Sequence, residues 1–162
     1  MHLRKRTGLF SLFTLLQIGV NITIFAGTAL HLYNKNPMAV CLIGDKPESA
    51  MYCNFTYITA GIGIGLCILV YIFQAIDRTF TNAFKSVLLC ILSSVYAGAG
   101  AILTTTSLDG DTLGLPEKQW RTSIWALIWV DLGLTLLMAA VSTAFSEKKL
   151  LRNNNNNNNN IP

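Results

Sequence analysis

Four stretches of this chain are each long and apolar enough to cross a lipid bilayer: Gly8 to Leu32, Tyr57 to Ile76, Ser86 to Thr106 and Ser123 to Phe145. About 20 apolar residues, at 1.5 Å each, cross a hydrocarbon core of roughly 30 Å, whereas apolar runs of about 10 to 14 suit helices buried in soluble cores. The expected fold is therefore all-α: an integral membrane four-helix bundle, antiparallel and up-down-up-down. Composition agrees, since 12% of the residues are charged against roughly 25% in soluble domains.

The basic residues set the expected orientation. With both termini cytosolic, the inside carries Arg4, Lys5, Arg6, Arg78, Lys85, Lys148, Lys149 and Arg152, and the outside carries Lys35, Lys46, Lys118 and Arg121. Positive charge concentrates on the cytosolic side of membrane proteins, and the eight-to-four split favours this topology. The net charge of +4 thus reads as a leaflet asymmetry. No basic patch interleaved with aromatics points to nucleic acid, and the expected partner is the lipid bilayer. Residues 1–7 form a basic cytosolic leader, 8–146 the membrane domain and 147–162 a cytosolic tail. That tail holds eight consecutive asparagines, Asn153 to Asn160, and its low complexity predicts disorder. The rival reading of the N-terminus, a cleaved signal peptide, fits the basic start, but the apolar run exceeds the usual 7 to 15 residues.

One carboxylate, Asp131, stands inside the fourth stretch. An ionised aspartate near the middle of a span costs about 2.5 to 3.5 kcal/mol on insertion scales, so this one is expected to face protein or a polar cavity. Counted at 1.5 Å per residue from Ser123, it lies about 12 Å deep, level with Gly65 and Gly98 and close to the depth of Asn21, Thr23 and Tyr96. These residues predict a polar cluster of Asp131, Asn21, Thr23 and Tyr96. Its simplest role is a protonated acid acting as glue between helices; an ion pathway is the alternative. Gln17 and Asn21, one turn apart, share a face of the first span.

Between the first two spans, Cys41 and Cys53 flank a turn region containing Gly44 and Pro47. On a side facing an oxidising lumen they are expected to form a disulfide, worth about 3 kcal/mol in the chain-entropy model. Zinc is the competing use, but there is no Cys-x-x-Cys spacing and only His31 is near, so no metal is expected. Cys67 and Cys90 fall inside spans and read as small packing residues, with palmitoylation a second use for Cys90. The sequon Asn54-Phe55-Thr56 abuts both Cys53 and the membrane, so little or no glycan is expected despite the motif.

Small residues recur at helical spacing. Gly61 and Gly65 in the second span, and Ser94 and Gly98 in the third, form flat faces where another helix can approach closely. They predict tight packing, including homo- or hetero-oligomers through those faces. Gly61, Gly63 and Gly65 also look like half a dinucleotide fingerprint, but without a preceding strand they carry no such reading. Asp109-Gly110-Asp111, in an outside loop expected from Ser107 to Thr122, lacks the rest of a calcium-binding pattern and reads as a solvated turn. Trp120, Trp125 and Trp129 mark the outer interface as amphipathic anchors.

With Cys41-Leu42-Ile43 and Cys53-Asn54-Phe55 bracketing the first outside loop and a fourth span marked by tryptophans, the layout resembles small eukaryotic four-span proteins of the transmembrane protein 179 type. MARVEL-type vesicle proteins are similar by topology alone. The resemblance implies membrane residence, with vesicle or junction organisation, rather than a reaction. Tetraspanins, claudins and small multidrug exporters fit less well, because the Cys-Cys-Gly motif, the first-loop Trp-and-cysteine pattern and the first-span glutamate are each missing.

No catalytic constellation emerges: His2 and His31 fall on opposite sides of the membrane, and the serines have no His or Lys at a readable spacing. The expected function is a non-enzymatic membrane organiser without cofactor, resident in an endomembrane or the plasma membrane. A small transporter or channel subunit using Asp131 is the alternative.

Overall fold

The computed structural model describes residues 2–34, 40–43, 50–75 and 79–158. Within these, four long helices carry the chain: α1 (His2–Gly27), α2 (Met51–Ala75), α3 (Thr79–Thr112) and α4 (Lys118–Asn158). Each contains a segment long and apolar enough to cross a membrane. The Gly44 and Pro47 turn and the charges Lys35, Lys46 and Arg78 lie outside the described residues.

Threonine is an indifferent helix former, yet these helices contain many. Its hydroxyl bonds back to the carbonyl four residues earlier, hiding the polar group within the helix. Thr14 Oγ1 donates to Phe10 O at 2.9 Å, Thr28 to Ile24 O at 2.8 Å, and Thr104 to Gly100 O at 2.6 Å.

The four helices form a ring, α1 packing on α2 and α4, and α3 packing on α2 and α4. Along the α1–α4 seam, Thr14 meets Met138, Gln17 meets Thr135, Asn21 meets Asp131 and Gly27 meets Trp120, so the two helices run in opposite directions. Two apolar clusters fill the ring. One centres on Ile24, Leu92, Tyr96, Leu103 and Ile128, and the other on Phe10, Val70, Leu88, Leu89 and Met138. Along α1 and α4 the polar residues fall between the two. The outer faces are strongly apolar, with Leu15, Leu30 and Ile58 exposed.

Several boundaries differ from expectation, and α1, α3 and α4 also begin earlier, at His2, Thr79 and Lys118. α2 begins at Met51 rather than Tyr57, and α3 runs on to Thr112, so residues 109–111 are helical and the connection to α4 shrinks to 113–117. Gly114 explains where α3 stops. Its φ of 66° suits a residue without Cβ, and the bonds Leu115 N to Gly110 O and Gly114 N to Asp111 O close the end of the helix as a Schellman motif. At the other extreme α4 continues through Asn158, into the segment whose composition predicts disorder. Asparagine is a poor helix former, but extending a helix already nucleated avoids the cost of starting one.

Beyond α1 the chain widens into a π turn, Thr28–Leu32, and leaves as a two-residue ladder in which Tyr33 pairs with Cys41 and Asn34 with Val40. Leu42 N donates to Leu32 O at 2.9 Å. Cys41 and Cys53 are disulfide-bonded, with Cα atoms 5.8 Å apart, which fastens this hairpin to the first turn of α2.

Candidate functional site: a polar layer inside the ring

Asp131 has no exposed surface, and neither do Asn21, Gln17, Tyr96 and Thr135. The spacing of these residues explains their meeting. Gln17 and Asn21 on α1, and Asp131 and Thr135 on α4, are pairs four residues apart, so each pair stacks on one helix face. Asn21 Nδ2 lies 2.9 Å from Asp131 Oδ2 and 2.8 Å from Tyr96 Oη, and 2.9 Å from Gln17 O on its own helix. Gln17 Nε2 donates to Thr135 Oγ1 at 2.6 Å and reaches Asp131 O at 3.2 Å. Thr135 Oγ1 in turn donates to Asp131 O at 2.8 Å.

The second helix contributes an absence of side chain. A Cβ added to Gly63 would stand 2.5 Å from Asn21 Oδ1 and closer still to Tyr96 Oη. Cys67, one turn further along α2, is buried within electrostatic reach of Asp131 and Tyr96. All four helices therefore meet at this layer, which bonds α1 to α3 and α4 through side chains. One acid, two amides, a phenol and a hydroxyl make a set suited to holding helices together or holding a proton.

Asp131, Asn21 and Tyr96 come together as the depth count expects, and Thr23 does not. Thr23 is exposed and bonds to Gly19 O of its own helix at 2.9 Å. Two residues along a helix turn the side chain by about 200°, so Thr23 and Asn21 face opposite ways although their depths match. The same geometry corrects the small-residue faces. Gly61, Gly65, Ser94 and Gly98 are exposed, and a Cβ at any of the three glycines would meet nothing within 4 Å. Close approach inside the ring is made instead by Gly63 and by Gly100, where a Cβ would come 3.1 Å from the Trp129 ring.

The tryptophans divide by partner. Trp120 stacks on His31 with ring centroids 3.8 Å apart and also covers Gly27. Trp125 is half-buried against the first apolar cluster. Trp129 remains exposed but donates Nε1–H to Thr104 Oγ1 at 3.1 Å, joining α4 to α3.

A second polar centre was not foreseen. Arg121, counted from sequence only as an outside charge, is 2% exposed. Its guanidinium donates to Asp111 and Pro116 O, to Leu115 O at 3.0 Å and to Leu42 O at 3.4 Å, while Lys118 Nζ pairs with Asp111 Oδ2 at 3.1 Å. This one side chain ties the disulfide hairpin to the α3 end and to the 113–117 connection. A buried arginine needs acceptors of this kind; both Nη groups find them, and Nε has no partner among the described residues. The available signal was the short stretch from Asp111 to Arg121, opposite charges on either side of a Gly-Leu-Pro turn.

No family model, curated protein or solved structure matches the chain.

Proposed function

We propose that this protein is a non-enzymatic membrane organiser: an up-down-up-down four-span protein with both termini cytosolic, working through lateral helix contacts in an endomembrane or the plasma membrane. Vesicle or junction organisation, implied by the resemblance to the transmembrane protein 179 type, is the setting we favour. The observation supporting this reading is the division of residues between inside and outside. The polar side chains are sealed within the ring and bonded to one another, while Gly61, Gly65, Ser94 and Gly98 are turned outward. In lipid, flat small-residue faces let a neighbouring helix come close enough for dispersion to hold it.

The test is proximity labelling with mass spectrometry, joined to cross-linking in the native membrane, for the wild type and a Gly61→Leu, Gly65→Leu, Gly98→Leu variant. A changed set of neighbours with an unchanged thermal midpoint is expected. An identical neighbour set would sink the proposal. The second reading, a small transporter or channel subunit, draws support from the unpartnered Oδ1 of Asp131; it requires flux in proteoliposomes that Asp131→Asn abolishes.

A further inference from the structure

Among the described residues, three oxygens in the polar layer have no hydrogen-bond partner: Asp131 Oδ1, Asn21 Oδ1 and Gln17 Oε1. All belong to residues with no exposed surface. Buried acceptors in native proteins are satisfied, so each orphan calls for a specific explanation. The two on Asp131 and Asn21 are the remaining oxygens of two groups already joined, through Asn21 Nδ2 and Asp131 Oδ2, at 2.9 Å.

We propose that Asp131 binds one proton on Oδ1 and donates it to Asn21 Oδ1, so that the two side chains form a doubly bonded acid–amide pair linking α4 to α1. This rests on the four-span membrane reading and not on the organiser role.

Counting hydrogens supports the assignment. Asn21 Nδ2 has two, and three acceptors lie within 2.9 Å of it. Gln17 O is a helix carbonyl with a backbone donor available, so the two hydrogens serve Asp131 Oδ2 and Tyr96 Oη. The Tyr96 hydroxyl then keeps its own hydrogen, with Gln17 as a side-chain neighbour. With Asp131 ionised, that hydrogen and the weakly donating Cys67 thiol are what the layer has left for three empty oxygens. Adding one proton turns Asp131 Oδ1 into a donor, and two hydrogens then meet two amide oxygens.

Among the described residues, the groups facing Asp131 supply no charge to hold it ionised. α1 presents the neutral amides Gln17 and Asn21, α2 presents Cys67, α3 presents Tyr96, and α4 adds Thr135. Among the described residues the buried Arg121 is bonded to Asp111, ten positions from Asp131 along α4. Gly63 belongs to the same device, since a methyl group there would push into Asn21 Oδ1, the atom that accepts the hydrogen bond from Asp131.

The pair has a pH dependence of fixed sign. The closed ring holds a proton that water-exposed aspartate releases at neutral pH, so raising the pH favours the opened state. Asp131→Asn keeps the shape and supplies an N–H where the acid has its O–H, so it preserves both bonds and loses the pH dependence.

The experiment uses the purified full chain in phosphatidylcholine nanodiscs. Infrared spectra at neutral pH are expected to show one protonated carboxyl stretch that shifts in D2O and is missing from Asp131→Asn. Exposed carboxylates are ionised at that pH, so the wild-type band is informative even where the variant does not fold. Carboxylate bands alone would overturn the proposal. Thermal midpoints are the second readout: the wild type should fall as the pH is raised into the alkaline range, Asp131→Asn should not, and exchanging sodium for potassium or choline should leave the wild type unchanged. A wild-type midpoint that requires sodium would replace the proton with a bound cation.

Discussion

Gly63 on α2 is held against Asn21 on α1 so closely that a single added methyl group would lie 2.5 Å from Asn21 Oδ1. Neither neighbour is free to yield, because Asn21 is tied to Asp131 and to Tyr96. Gly63→Ala is therefore expected to destabilise the protein by about 1 to 3 kcal/mol, the usual cost of overfilling a packed interior. Gly61→Ala and Gly65→Ala, which would meet nothing within 4 Å, should stay within about 0.5 kcal/mol of the wild type. Thermal unfolding of the three variants in detergent separates them; equal midpoints would show that the layer is not packed as described.

How much of this was legible follows from what a linear count measures. Depth along a span is one coordinate, and it brought Asp131, Asn21 and Tyr96 to one level. Azimuth is the other, and neglecting it admitted Thr23 and chose Gly61 and Gly65 over Gly63, each two residues and about 200° from the correct face. The four-residue rule, which linked Gln17 to Asn21, also connects Asp131 to Thr135 and offered a signal for Thr135. The disulfide was readable because a cysteine pair in a loop expected on an oxidising side has few other uses. Arg121 was not, since a charge count cannot tell a solvated arginine from one surrounded by three carbonyls and a carboxylate.

Arg121 is the link between the disulfide hairpin and the α3–α4 connection. Arg121→Met removes the charge from a buried position but leaves the carbonyls of Leu42, Leu115 and Pro116 without this donor. Arg121→Lys restores charge but not the planar fork that reaches several acceptors at once. Both should lower the thermal midpoint and speed proteolysis at 113–117. Asp111→Asn should do less, because the guanidinium retains its three carbonyls. A surface-like response, with all three variants indistinguishable from wild type, would contradict the bonding described.

The Cys41–Cys53 bond closes a short loop, with a sequence separation of 12. In the chain-entropy model a loop of about this size contributes roughly 3 kcal/mol. Cys41→Ser with Cys53→Ser, or reduction of the wild type, should lower stability by up to that amount. Non-reducing mass spectrometry of freshly made protein should find the two peptides linked, with Cys67 and Cys90 as free thiols. Free thiols at 41 and 53 would reject the pairing.

Asn54 carries a glycosylation sequon that the fold withholds. The acceptor asparagine is exposed, yet it sits in the first turn of α2, beside the buried Cys53 of the disulfide. The sequon's threonine, Thr56, is buried, and its hydroxyl donates to Tyr52 O at 2.8 Å. Acceptor sites are used on surface loops, whereas here the backbone is helical and the hydroxyl is already spent. Protein expressed in a glycosylating host should keep its electrophoretic mobility after N-glycosidase treatment, and Asn54→Gln should migrate with the wild type. Freeing the segment should reverse this: with Cys41→Ser and Cys53→Ser, a glycosidase-sensitive band is expected. A sensitive band on the wild type itself would mean that the segment is modified before α2 and the disulfide have formed.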